Sequence, residues 1–306
     1  MDANAHAVIG FVGLGAIGGP MCHNLALKHA GELWAYDLNP AAWEVLNDTR
    51  AHRASSLAEL ARECEIVFLS LPGGPQVEQV CLGPGGLADG PHHPQVVVDL
   101  STTTVASARA VAQRLDALGV RFADAPVART REAARRGELS IMVGADAALF
   151  ARIEPWLRHL GSDITLCGEV GCGQVVKLIN NALVFEHTAA LAEMMVLGER
   201  AGVQPATLLE AVSKGSGDSF VLRNHARKAM LPREFPTQAF PPEYALKDIA
   251  CVLELAQHTC TPTPLTALAR RYYQAAVDHG LGGRYFPVVI ELVERDVDVA
   301  TASRQP

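Results

Sequence analysis

No stretch of this chain reaches the roughly 18–20 consecutive apolar residues that a membrane-spanning helix requires, so no span is expected. The start, Met-Asp-Ala-Asn-Ala-His, lacks both the positive charge and the apolar run of a secretory signal. Basic residues are outnumbered, 26 Lys and Arg against 33 Asp and Glu, which leaves a net charge of −7. Such a surface repels a phosphate polymer, so nucleic acid is not an expected partner. Paired cysteines are missing too. Cys22, Cys64, Cys81, Cys167, Cys172, Cys251 and Cys260 are odd in number, scattered and free of any CxxC spacing. They read as reduced, mostly buried thiols of a cytoplasmic protein, with neither a disulfide frame nor a zinc site. Repeats and low-complexity tracts are absent, and only the last residues, ATASRQP, read as a loose tail.

What is present is apolar substance. Of 306 residues 49% are hydrophobic and 19% charged, enough for a full core in two domains. Residues 1–168 alternate short apolar runs with helical patterns, as a parallel sheet with crossover helices requires. The expected strands are Val8–Val12, Leu33–Asp37, Ile66–Leu71, Val96–Asp99, Val120–Ala123, Ser140–Val143 and Ile164–Leu166. Blocks such as VVVDL are apolar throughout, which fits burial on both faces. After the GCG joint (Gly171–Gly173) the strand signal stops. Residues 169–306 read as an all-helical domain, led by a long apolar helix from Gln174 to about Ala201. The expected class is therefore an α/β Rossmann-like domain followed by an all-α domain.

The sequence opens VIGFVGLGAIGGPM, with Gly13, Gly15 and Gly18 in GxGxxG register between an apolar strand and a helix. The first glycine permits a tight turn, the second lets backbone approach a pyrophosphate, and the third lets helix and strand pack closely. The helix start then offers N–H groups and partial positive charge to a diphosphate. The predicted cradle is Gly13, Leu14, Gly15, Ala16, Ile17 and Gly18. Asp37 ends the next strand, 24 residues after Gly13. A carboxylate there accepts bonds from ribose hydroxyls and repels a 2′-phosphate, and no arginine follows, so NAD is expected over NADP. Ligands of open parallel sheets gather at the carboxyl ends of strands, where LPGGP (Leu71–Pro75) and DLSTTT (Asp99–Thr104) lie. Leu71 and Pro72 are expected against the cofactor. Ser101 and Thr102 are expected to offer hydroxyls and amides to cofactor and substrate, although Ser101 also reads as a plain helix cap.

The ordered blocks GLGAIGGPM (13–21), DLST (99–102), DAPV (124–127), GCGQVVKLINN (171–181) and YALKD (244–248) resemble the β-hydroxyacid dehydrogenase family over essentially the whole chain. The resemblance implies a substrate held between a Rossmann-like and a helical domain. It also implies that Lys177 is the general acid/base, with Asn181 orienting the lysine or the substrate oxygen and Asn180 alongside. Lys177 and Asn181 lie four apart, on one helical face. A helix start and an apolar cleft both disfavour an extra positive charge, so a lowered lysine pKa is expected. Lys247 resembles the family's second lysine, near the nicotinamide, with Asp248 its neighbour.

One departure bears on substrate. Where the family reads DAPVSGG, this chain has Ala128-Arg129-Thr130. Arg129 is expected to present a bidentate fork to an anion, and the Arg-Thr pair resembles that of the sulfolactaldehyde reductase branch. Its bland alternative is a solvated member of the cluster Arg131, Arg135 and Arg136. The predicted function is NAD-dependent hydride transfer on a small anionic hydroxy acid or semialdehyde, by a homodimer or homotetramer built through the C-terminal helices. Imine reductases share the architecture but typically lack the lysine. A non-catalytic NAD-binding module is the rival from another class.

Overall fold

The computed structural model describes residues 6–237 and 239–299; the ATASRQP tail lies outside them. Two compact units divide at Lys177/Leu178. The first holds one sheet. Its strands are β1 (Ile9–Val12), β2 (Leu33–Tyr36), β3 (His52–Arg53), β4 (Ile66–Leu69), β5 (Val96–Asp99), β6 (Arg121–Asp124), β7 (Val127–Ala128), β8 (Leu139–Gly144) and β9 (Gly161–Gly168). Strands β3-β2-β1-β4-β5-β6 run parallel in that order. The order reverses between β1 and β4, and that reversal opens the crevice in which doubly wound sheets take their ligands. At the far side β8 runs antiparallel to β6 and β7, while β9 runs parallel to β8. The expected all-parallel sheet is thus mixed at one end, and the short connection through β7 leaves no crossover to bring β8 back parallel.

Six helices cover this sheet. They are α1 (Gly18–Lys28), α2 (Leu57–Glu63), α3 (Gly74–Leu82), α4 (Val105–Asp116), α5 (Arg131–Arg136) and α6 (Ala147–Leu160). Met21 and Leu25 of α1 pack with Trp156 and Leu160 of α6 in one core cluster. Leu60 of α2, Cys81 of α3 and Val111 of α4 join a second. Helices on both faces explain why β1, β4 and β5 are buried at every residue.

The helix α7 (Cys172–Arg200) carries the chain into the second unit. There it is followed by α8 (Pro205–Val212), a wider π-type helix over Val221–Met230, α9 (Pro242–His258), α10 (Pro264–Asp278) and α11 (Ile290–Glu294). Each of α8, α9 and α10 opens on proline, whose fixed φ and missing N–H suit a first turn. After α10 the chain makes a 3-10 turn (Phe286–Val289) running into the short α11. Its continuation stops near Asp296, whose φ of +53° is left-handed. The unit's core gathers Phe185, Tyr273 and Phe286. No helix among the described residues is long and apolar enough to cross a membrane.

Candidate active site

The turn after β1 is built for close approach. Gly13 has φ +97°, and a Cβ there would run into the Ser70 carbonyl. A Cβ on Gly18 would strike the Gly13 carbonyl, so strand end and helix start sit in contact. Around Gly15 a Cβ would meet nothing within 4 Å. Gly15 and Ala16 are exposed and Ile17 is half-buried, whereas Leu14 points into the core. No side chain caps α1 and no acidic residue sits in its first turn, so its N–H groups suit an anion. Asp37 accepts from the Leu14 N–H at 2.6 Å and the Asn39 N–H at 2.7 Å, which fixes its carboxylate beside the turn. An open cradle, a bare helix start and a held carboxylate together fit a dinucleotide.

The next two strand ends are tied together. Ser101 Oγ accepts from the Leu71 N–H at 2.9 Å, and the Ser101 N–H donates to Asp99 at 3.0 Å. Pro72 is exposed and Thr102 half-buried on these loops. Thr104, not Ser101, caps α4.

Helix α7 buries Gln174, Lys177, Leu178 and Asn181 along one face. Gln174 is tied to the loop after β5, its Nε2 donating to the Ser101 carbonyl at 2.8 Å and its Oε1 accepting from the Thr103 N–H at 3.1 Å. Lys177 follows one turn later on the same side, only 8% exposed. In the second unit Asn181 donates to Asp248 at 2.7 Å, and Lys247 Nζ lies 3.1 Å from the other Asp248 oxygen. Asn180 donates to Asn181 at 3.1 Å, so the four polar side chains fix one another's direction.

Arg129 departs from expectation. Its guanidinium donates to the Glu138 carbonyl at 2.6 Å, to Ser162 at 2.9 Å and to Asp163 at 2.7 Å. The fork is thus engaged by the chain around β8 and β9. The side chain is 39% exposed, and its neighbours Arg135 and Arg136 pair with Glu132 on α5. Arg129 also carries φ +87°, a backbone that glycine adopts freely and arginine does not. Thr130 is the cap of α5, accepting from the Ala133 N–H at 3.3 Å.

Residues 8–168 match the family described as the NAD binding domain of 6-phosphogluconate dehydrogenase. Residues 171–293 match that described as NAD-binding of NADP-dependent 3-hydroxyisobutyrate dehydrogenase. The chain is 34% identical to 2-(hydroxymethyl)glutarate dehydrogenase of Eubacterium barkeri, over 97% of this chain and 98% of the relative. It is 35% identical to 3-hydroxyisobutyrate dehydrogenase of Pseudomonas aeruginosa, over 89% and 94%. It belongs to the β-hydroxyacid dehydrogenase family. The solved 3-hydroxyisobutyrate dehydrogenase of Mycobacterium tuberculosis with L-serine superposes with a TM-score of 0.85 at 27% identity, covering 94% of this chain and 99% of that one.

For a β-hydroxyacid dehydrogenase, three buried polar residues stand out that motif reading left without a role. Asp124 accepts from the N–H groups of Gly171 and Gln174 at 2.6 and 2.8 Å. Gln174 and Asp248 make the contacts given above. All three fall inside quoted motifs, so their positions were visible while their partners were not. Among the described residues no group of three or more His, Cys, Asp or Glu could hold a metal.

Proposed function

We propose that this protein transfers hydride between NAD and a small hydroxy acid or its semialdehyde, with Lys177 as general acid/base. The observation that carries the reading is the buried Lys177 one helical turn after Gln174, whose side chain is bonded to the Ser101–Thr103 loop. A bound nicotinamide supplies the hydride acceptor or donor. Neutral Lys177 takes the proton from the substrate hydroxyl oxygen as the carbon below it is oxidised, and returns it to that oxygen in reduction. Asn181, held by Asp248, directs an amide at the same oxygen, and Lys247 serves the nicotinamide end. Ser101, Thr102 and Asn180 present polar groups for the acid end. Relatives named for 2-(hydroxymethyl)glutarate, 3-hydroxyisobutyrate and 2-hydroxy-3-oxopropionate support this substrate class. The test is NAD reduction across small hydroxycarboxylates and hydroxysulfonates. Turnover on one of them supports the reading, and NADH binding without turnover on any would make the protein a binding module.

A second reading gives the substrate anion to Arg129 in exchange for Asp163. Its support is the side chain's 39% exposure on a segment that replaces the family's SGG. Arg129→Ala then raises KM selectively for a sulfonate or larger carboxylate, whereas a purely structural arginine leaves KM unchanged.

NAD is proposed over NADP because the Asp37 carboxylate, held beside the turn after β1, suits ribose hydroxyls and repels a 2′-phosphate. The specificity constant for NAD is expected to exceed that for NADP at least about tenfold, or roughly 1.4 kcal/mol. Asp37→Ala should narrow the ratio, and a parent enzyme preferring NADP would refute the assignment.

The outer face of α7 leaves Ile179, Leu183, Met194 and Leu197 exposed, and Leu265 and Leu268 of α10 are exposed as well. Apolar surface on this scale favours a homodimer or homotetramer through the C-terminal helices. Light scattering should report at least twice the 32.6 kDa chain mass, and a monomer at micromolar concentration would count against it. Seven free cysteines support a reducing, cytoplasmic location.

A further inference from the structure

We propose that a pocket at the amino end of the sheet binds a small monocarboxylic acid, with Arg50 as its anion anchor. The cavity measures about 450 Å³, inside the range of roughly 300–1,000 Å³ that small-molecule sites occupy. His6, Glu32, Arg50 and His52 stand around it, with Val8 and Leu33 among its apolar lining. Leu33 and His52 are the first residues of β2 and β3, and Val8 precedes β1. The dinucleotide turn leaves the other end of β1, four residues on. At about 3.3 Å per residue, roughly 13 Å of strand separates the two places. The walls are fixed. His52 stacks on Trp34 with ring centroids 4.9 Å apart. His29 Nε2 donates to the Ala7 carbonyl at 2.8 Å. Gly31 packs so closely on both that a Cβ there would come 2.6 Å from the imidazole and 2.7 Å from the carbonyl oxygen. Beside Arg50 the Thr49 hydroxyl donates to the Leu46 carbonyl at 2.8 Å and accepts from the Ala51 N–H at 3.2 Å. A ligand therefore meets a site with little left to order.

Charge selects the ligand. The chain carries −7 overall, yet this cavity gathers one guanidinium and two imidazoles against one carboxylate. Arg62, Arg114 and Arg121 each pair with an acidic side chain. Among the described residues no acidic side chain pairs with Arg50, although Glu32 lines the same cavity. The Arg50 fork can therefore make two parallel bonds to a carboxylate. His6 and His52 add ring N–H donors. Glu32 opposes a second negative group and accepts from a hydroxyl or an ammonium. Val8 and Leu33 suit a short carbon frame. Together these groups describe a hydroxy- or amino-monocarboxylic acid and disfavour a dianion.

Calorimetric titration of the full-length chain with 4-hydroxybenzoate, in the presence of NADH to fill the dinucleotide turn, tests the pocket directly. Saturable binding is expected. The neutral 4-hydroxybenzamide, equal in shape, should bind at least about tenfold more weakly, as the loss of a charge-assisted bond requires. Arg50→Ala should weaken 4-hydroxybenzoate by a similar factor. Arg50→Lys should recover part of the loss, because an ammonium supplies charge without the planar fork. Arg50 is exposed, so both variants should fold, and an unchanged melting temperature checks it. A Kd for 4-hydroxybenzoate above about 1 mM in the parent overturns the proposal. Binding that Arg50→Ala leaves unchanged overturns it equally, since that binding would belong to another site. The readout needs no turnover, so it stands apart from the role of Lys177.

Discussion

Lys177→Ala is expected to reduce turnover by roughly two to four orders of magnitude, the range for a lost general acid/base. NADH affinity should change little, because the dinucleotide cradle is built from the turn after β1 and from Asp37. The loss should appear in kcat and kcat/KM together, as it does when an interaction made only in the transition state disappears. The fold should survive, since alanine extends the helix well and the face keeps Gln174 and Leu178 buried. Stopped-flow NADH formation beside fluorescence titration separates the two quantities. Turnover near that of the parent would remove Lys177 from the mechanism.

The strands that bury every residue were legible because burial on two faces writes a continuous apolar run. VVVD and IVFL could hardly be anything else. His52–Arg53 carries no such mark. Two exposed polar residues become a strand only by pairing with Trp34 and Ala35, which the local sequence cannot announce. Strand β7 was missed for the same reason, being two residues long and defined by its pairing with β8. In the candidate site the GxGxxG turn was legible from its place between strand and helix, whereas the role given to Lys177 comes from the family resemblance and not from spacing. Contacts between distant segments were not. Gln174 looks like any helical glutamine until Ser101, 73 residues away, accepts its amide. Arg129 shows why residue type alone does not settle direction. Its fork was expected toward a ligand, and acceptors 33 and 34 residues away engage it.

The glycines of the first turn allow a sharper test of the dinucleotide site than loss of activity would. Gly13→Ala should damage both fold and binding. A left-handed backbone costs a non-glycine residue about 1–2 kcal/mol, and the new methyl also meets the Ser70 carbonyl, a backbone atom that cannot swing aside. Melting temperature should fall and NADH affinity should drop about a hundredfold or more, equivalent to roughly 2.7 kcal/mol. Gly15→Ala should behave differently. Its backbone lies outside the left-handed region and its methyl would touch no protein atom within 4 Å. Melting temperature should therefore hold while NADH binding weakens, because the methyl occupies the approach that the pyrophosphate needs. Circular dichroism and NADH fluorescence on the two variants, measured side by side, separate strain from obstruction. A Gly15→Ala chain that binds NADH as tightly as the parent would show that the cofactor does not lie on this turn.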